Sequence, residues 1–360
     1  MYDNNMPIEL EEQHIYCEKL NSISSFNDKI LFKKHTHTIN HIDLKKNLLM
    51  TSGDDDLIII VDLKIYKYIL TFYDIINGTK YSTFLEPLST KIIYYGYKSF
   101  KLYIYDYQKD SILFVVNLLR EKLTHFEYNN KSNIIITTQN NNNIVWQLQD
   151  KKINPEYNIK NSYYAVINDN KQHIISCAKT YNNNNISKIN TILSIYKYDF
   201  NRSIIIVKER DLNLEIGYDV KLMDIFKNIE RYYLILMSDY TIEIIDLENN
   251  DIIINNINLI KDKNLKFTCF EPVFTKEIII GYNNGDVEVV NPLKNEKYIK
   301  EEIENKYKVD IKIRKIINDI KNDVIKHETS VVQIKMSDYY PLYVSIADEM
   351  IIYQLKNLYI

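Results

Sequence analysis

The 360-residue sequence predicts an all-β chain folded as one seven-bladed β-propeller whose ring is closed by an N-terminal strand. Short runs of β-branched and aromatic residues alternate with polar turns, which is the pattern of strands. These runs recur in one fixed order at steps of about 40 to 65 residues, the signature of a repeat architecture. Almost no stretch sustains the 3.6-residue period of an amphipathic helix, which leaves a sandwich, a barrel or a propeller.

The clearest strands are 47–52 (NLLMTS), 57–63 (LIIIVDL), 91–97 (KIIYYGY), 102–107 (LYIYDY) and 241–247 (TIEIIDL). Each unit reads as a first strand, a very apolar second strand, a polar turn, a third strand closing on Asp, Asn or Gln, and a fourth strand. First strands begin near Thr38, Lys80, Lys122, Ser162, Asp219, Leu265 and Ser330. Third strands end IIIVD at Asp62, LYIYD at Asp106, NIVWQ at Gln147, SIYKYD at Asp199, IEIID at Asp246, VEVVN at Asn291 and IIYQ at Gln354. Seven such units lack one outermost strand, and residues 28–33 (DKILFK) supply it. Pairing the N-terminal segment with the C-terminal strands closes the ring and removes exposed edges. Residues 28–360 are therefore expected to form the propeller and 1–27 an N-terminal extension.

Two insertions interrupt the repeat. Residues 180–190, with four consecutive asparagines from Asn182, read as a polar low-complexity loop. Residues 298–326 are charged, and Ile313, Ile317, Ile320 and Val324 fall at helical spacing, so a solvated insertion with an amphipathic turn of helix is expected there.

Bulk composition sets the function classes. Hydrophobic residues at 46% and charged residues at 26% suffice for a continuous core. A formal net charge of -3 gives no global attraction for a phosphate backbone, so direct nucleic-acid binding is not expected. Cys17, Cys177 and Cys269 lie far apart with no CxxC pair, so neither disulfides nor a zinc site is signalled and a reducing intracellular compartment is expected. No apolar run approaches the roughly 20 residues that span a bilayer. The 31 tyrosines, among them Tyr94, Tyr95, Tyr97, Tyr103, Tyr105 and Tyr107, alternate within strands and are expected to pack between blades rather than stack on RNA bases.

No catalytic, metal or cofactor motif is found. His35, His37, His41 and Asp43 are spaced closely enough to suggest a metal, but residues of a strand and of the gap before it do not share a face. Asp54, Asp55 and Asp56 could serve acid–base chemistry or bind a cation, yet they fall in the turn between the second and third strands and read as rim charges. The run from Asn283 to Asp286 is a hairpin turn, since Asn-Gly supplies positive φ, and not a phosphate loop.

The repeat resembles the WD repeat in eroded form, with Trp146 as the sole tryptophan and unusually little glycine. In that family an interblade aromatic is supported by a His before the first strand, a Ser or Thr in the second, and an Asp in the following turn. The resemblance assigns these roles to His35, Ser52 and Asp55 in the first unit and to His327 and Asp348 in the last. Trp146 takes the place of the interblade aromatic, and Asp62, Asp106, Asp199 and Asp246 take the position that closes the third strand.

More specifically, LNSISSFNDKILFKK (20–34), INHIDL (39–44), TSGDDDLIIIVDL (51–63) and ILTFYDIINGTKYSTFLEP (69–87) resemble the WD-repeat subunit of COMPASS-type histone lysine methyltransferase complexes. That family is also shared with polyadenylation and protein phosphatase complexes. Residues 218–253, 265–272, 278–292 and 327–336 are similar to its fifth, sixth and seventh blades, whereas the third and fourth blades and both insertions depart from it. The resemblance implies a nuclear, non-enzymatic adaptor that binds a methyltransferase segment and other complex subunits and links them to the phosphorylated polymerase tail. It places the partner contact on the rim near Asp54, Asp56, Gly78 and Lys80. A polyadenylation, phosphatase or trafficking scaffold is the alternative.

Overall fold

The structure is a computed structural model. It describes residues 16–18, 26–32, 35–63, 67–74, 76–85, 90–149, 152–182, 185–199, 205–212, 214, 216–228, 231–249, 251–259, 264–272, 278–290, 325–326, 329–336, 342–346 and 350–355. Strands β1 (Tyr16–Glu18) and β2 (Phe26–Phe32) lead into blade one, formed by β3 (Ile39–Lys45), β4 (Leu48–Gly53), β5 (Leu57–Asp62) and β6 (Lys67–Tyr73). Blade two is β7 (Tyr81–Phe84), β8 (Lys91–Gly96), β9 (Lys101–Asp106) and β10 (Ser111–Asn117). Blade three is β11 (Leu123–Asn129), β12 (Ile134–Gln139), β13 (Asn142–Gln149) and β14 (Lys152–Ile159), and blade four is β15 (Ser162–Asn168), β16 (His173–Asn182), β17 (Asn185–Asp199) and β18 (Ile205–Asp211). Blade five is β19 (Leu222–Asn228), β20 (Arg231–Met237), β21 (Thr241–Asp246) and β22 (Ile252–Asn258), and blade six is β23 (Phe267–Pro272), β24 (Ile278–Tyr282), β25 (Asp286–Val290) and β26 (Ile325–Lys326). The last sheet collects β27 (Gln333–Met336), β28 (Leu342–Ile346) and β29 (Met350–Leu355).

Seven antiparallel sheets are formed among the described residues: six are four-stranded meanders, and the seventh has five strands. The second strands are the most apolar because a blade's middle strands have a neighbouring blade on each face: β12 is buried at every position, and β20 at all but its first. Alternate side chains therefore enter different interblade layers. In β4 and β5, Met50, Ile58 and Ile60 meet Phe84, Ile92 and Tyr94 of blade two, while Leu49, Ile59 and Val61 meet Val344 and Ile346 of the last sheet. The core is thus a series of interblade layers, and each fully buried Ile, Leu or Phe in it contributes about 1.5–3 kcal/mol. The tyrosines belong to these layers: Tyr94 and Tyr95 are fully buried, and Tyr94 stacks on Tyr103 at 4.9 Å between centroids.

The ring closes as the sequence leads one to expect, through β2. It pairs antiparallel with β29, with Ile30 opposite Ile352, in the sheet order β1-β2-β29-β28-β27. The last sheet differs in having a fifth strand, because β1, inside the expected extension, pairs with β2 at Tyr16 opposite Leu31. On the inner side, β27 adjoins β3, and the Ile42 amide donates to Gln333 Oε1 at 2.9 Å.

The expected polar loop at 180–190 is not a loop. β16 and β17 continue as a ladder through this stretch, as far as Asn182 opposite Asn185. Of the charged stretch 298–326, only Ile325 and Lys326 fall among the described residues, and they supply the fourth strand of blade six by pairing with β25. The expected turn at Asn283 is a tight hairpin with Gly285 at φ 88° and its amide on the Tyr282 carbonyl at 3.2 Å.

Candidate docking rim and central channel

The turn from β4 to β5 holds the three aspartates, and each has a different fate. The backbone fixes the turn first, with the Asp54 amide donating to the Thr38 carbonyl at 2.9 Å. The Asp55 carboxylate faces His35 Nδ1 at 2.9 and 3.1 Å and accepts from the Thr36 amide at 2.8 Å. Burial alone would raise the Asp55 pKa, but the His35 contact and the amides of Thr36 and Leu57 hold it below the usual carboxylate range. Nε2 of His35 lies 2.8 Å from Thr51 Oγ1. The hydroxyl partner of His35 is thus Thr51 and not Ser52, which projects from the opposite face of β4 and donates to the Lys80 carbonyl of blade two at 3.0 Å.

Asp56 is buried in a left-handed turn conformation, φ 63°, and is enclosed by blade two. It accepts from Tyr97 Oη at 3.0 Å and from Lys98 Nζ at 2.5 Å. Gly78, at φ 66°, lets the Tyr97 ring lie against the chain: a Cβ there would sit 2.5 Å from the ring. Lys80 is held by its main chain, its amide donating to the Tyr95 carbonyl at 3.2 Å. Of the four residues proposed for partner contact, Asp56 and Gly78 are thus used between blades, and Asp54 is exposed. Its carboxylate accepts from Asn40 Nδ2 at 2.6 Å. Thr36 and His37 are exposed on the same rim, and Ile76, in the connection between β6 and β7, is 81% exposed. His35, His37 and His41 do not converge, and no group of three metal-ligand side chains is found among the described residues.

The residues that close the third strands act as turn anchors. Asp106 Oδ1 accepts from Thr90 Oγ1 at 2.9 Å and from the amides of Gln108 and Lys109 at 3.2 and 3.3 Å. Asp246 accepts from the amides of Glu248 and Asn249 at 2.9 and 3.2 Å and from Arg231 at 3.1 Å. Asp62 instead accepts from Asn47 Nδ2 at 2.7 Å, and Asp199 ends β17. Trp146 packs between blades two and three and donates from Nε1 to Thr137 Oγ1 at 2.8 Å. His327 and Asp348, the expected counterparts in the last unit, lie outside the described residues.

The first strands surround a central cavity of about 470 Å³. Every first strand contributes to its lining, which forms two tiers. One tier includes His41, Tyr81, His125, Tyr164, Cys269 and Gln333; the next includes Asp43, Thr83, Glu127, Asp224, Glu271 and Lys335. Most of these polar groups join blades. Asp43 accepts from Thr83 Oγ1 and the Phe84 amide, Glu127 accepts from the Ile167 amide at 3.1 Å, and Lys335 donates to Glu271 at 2.9 Å. Burial pushes the Asp224 pKa up to about 7, with Lys335 opposing and Glu271 and Glu127 adding to the rise. Burial likewise lowers His41 to about 4. Only a weak pattern in the sequence points to this cavity. The signal was a pair of polar residues two apart in successive first strands, such as His41 with Asp43 and His125 with Glu127.

A closed ring of small antiparallel meanders defines a β-propeller, consistent with a WD-repeat protein, and that fold is consistent with a protein-interaction scaffold. No protein-family model matches the sequence, and no curated protein matches it. Among the described residues, no helix is long and apolar enough to cross a membrane.

Proposed function

We propose that this chain is a non-catalytic, nuclear interaction scaffold of the kind found in COMPASS-type histone methyltransferase complexes, engaging a methyltransferase segment through the rim of blades one and two. The observation that carries the docking site is the Asp54 carboxylate, exposed on a turn fixed by His35 to Asp55 and by Asp56 to Lys98, to which the connection bearing the exposed Ile76 is tied by the Asp74 amide on the Asp56 carbonyl at 3.2 Å. A stiff scaffold holding an exposed charge and an apolar side chain together presents a prepaid docking surface, because little side-chain or loop ordering remains to be done on binding. The choice of complex rests on the similarity of residues 20–34 and 51–87 to that family.

The test is affinity purification of the tagged chain and of its D54K variant from nuclear extract, with mass spectrometry of what is retained. Recovery of a SET-domain methyltransferase with its companion subunits, depleted by D54K, supports the reading. Recovery of polyadenylation or phosphatase subunits without a methyltransferase refutes it in favour of the alternative scaffold.

A further inference from the structure

We infer that the central cavity binds a small primary alkylamine, its ammonium group held between the carboxylates of Glu127 and Asp224 beside Val166 and the Tyr164 ring. This site is independent of the Asp54 rim.

Two blade junctions are built alike and differ in one group. Between blades one and two, Asp43 accepts from the Phe84 amide and from the hydroxyl of Thr83, the residue before it. Between blades three and four, Glu127 Oε1 accepts from the Ile167 amide at 3.1 Å, but the residue before that amide is Val166, which has no hydroxyl to give. Glu127 Oε2 is accordingly buried without a hydrogen-bond partner. His125 Nε2 lies 3.8 Å from it but is turned to the Ala165 carbonyl, at 2.9 Å. Leaving a buried acceptor unpaired costs about 1–3 kcal/mol, and more for a charged one. A carboxylate oxygen kept in that state on a cavity wall points to a donor supplied from outside the chain.

Water supplies a donor but no charge, and positive charge is what this tier lacks. Of the four carboxylates lining it, Glu271 has Lys335 at 2.9 Å, and Asp43 has the charge of Lys45 nearby. Among the described residues, no other blade donates a hydrogen bond to Asp224, whose Oδ1 accepts from the adjacent Ile225 amide at 2.7 Å. Burial raises the Asp224 pKa, Lys335 opposes, and the charges of Glu271 and Glu127 add to the rise, so these carboxylates act on one another across the cavity.

The walls define the rest of the ligand. Glu127, Val166 and Asp224 stand on the first strands of three successive blades, so an apolar side chain separates the two carboxylates. Tyr164 lines the cavity two residues before Val166, its ring stacked on that of His125 at 3.9 Å between centroids. An alkylammonium can donate to both carboxylates while its methylenes lie against Val166 and Tyr164, whose ring face also attracts a cation. No three metal-ligand side chains converge among the described residues, which disfavours an inorganic cation. Lys45 and Lys221 also line the cavity and oppose a polypeptide carrying several positive charges more than a single ammonium. A cavity of about 470 Å³ falls in the range of small-molecule sites.

The full chain is titrated with n-butylammonium chloride at pH 8, where Asp224 is largely ionised, and binding is followed by calorimetry. Saturable binding is expected. Val166→Thr gives Glu127 the hydroxyl that Thr83 gives Asp43 and is expected to weaken binding at least about tenfold, with thermal stability kept or raised. Glu127→Gln keeps the acceptor for the Ile167 amide, removes the charge and is expected to weaken binding as much; it serves if V166T fails to fold. Tetramethylammonium, which has no N–H to donate, is expected not to compete. Absence of saturable binding, unchanged affinity in either folded variant, or equal binding of tetramethylammonium overturns the inference. Preference of the parent protein for acetyl-Gly-Lys-Gly-amide over n-butylammonium also overturns it, because the cavity would then serve a protein side chain.

Discussion

Asp43, on the innermost strand of blade one, accepts a hydrogen bond from Thr83 Oγ1 of blade two at 2.6 Å and another from the adjacent Phe84 amide at 2.9 Å. Glu127 and Gln333 make the corresponding bond to the amides of Ile167 and Ile42, so side chains lining the cavity tie one blade's backbone to the next. Removing such an acceptor leaves a donor buried without a partner, which costs about 1–3 kcal/mol. Asp43→Ala is expected to lower unfolding stability by that amount in urea titration, and Asp43→Asn, which keeps one acceptor, by less.

The cavity also sets a pH dependence with two opposing parts. His41 is lowered to about 4 from 6.5, so between those values the unfolded chain binds more protons and stability rises with pH. His173, lowered by burial, adds to the same trend. Asp224 is raised to about 7 from 3.8, so there the folded chain binds more protons and stability falls as pH rises. The parent protein is therefore expected to show a shallow profile from pH 4 to 7. Asp224→Asn removes the falling part, giving a steeper rise and a gain on the order of 2 kcal/mol at pH 8. Denaturant melts of both proteins across that range check it, and a loss of stability for Asp224→Asn at pH 8 would refute it.

Thr51 and Ser52 are predicted to differ in what they anchor. Thr51→Val deprives His35 Nε2 of its partner and is expected to cost about 1–2 kcal/mol while loosening the turn that carries Asp54. Ser52→Ala releases the Lys80 carbonyl of blade two. Hydrogen exchange separates them: protection falls in residues 53–57 for the first and around Lys80 for the second.

The two buried thiols should be inert while the protein is folded. Burial pushes both Cys177 and Cys269 up to about 12, leaving almost no thiolate at pH 8. Maleimide labelling mapped by mass spectrometry is expected to spare both residues until denaturant is added, and rapid native labelling of either would contradict the packing described.

The sequence carried much of this fold because a propeller repeats itself: the first strands begin within about three residues of the expected positions, as helped by the strong apolar second strands. What it missed has specific causes. Thr51 and Ser52 are adjacent hydroxyls on opposite faces of β4, and only the pairing register, Thr51 with Ile59, tells which one faces His35. Asn182, Asn185 and Asn190 have poor strand propensity, yet the ladder of β16 and β17 includes all three because pairing is made by the backbone. At the rim, exposure could not be read from the triple aspartate itself, since Asp56 is claimed by Tyr97 and Lys98 about 40 residues away in blade two.

That difference yields a paired prediction at the rim. Asp56→Ala leaves Tyr97 and Lys98 without their carboxylate and is expected to destabilise the fold by about 1–2 kcal/mol, whereas Asp54→Ala should shift stability by less than about 0.5 kcal/mol. Partner retention should respond in the opposite order per unit of stability lost, and thermal melts run beside the purification read both.

The docking claim is tested most directly by placing a photo-crosslinking amino acid at the exposed Ile76, in the connection that the Asp74 amide ties to the Asp54–Asp56 turn. After irradiation in nuclear extract, the account predicts a crosslink to a methyltransferase-complex subunit that is lost in the D54K background. Crosslinks that are absent at Ile76 but form efficiently from the same probe at Lys109, away from this rim, would contradict it.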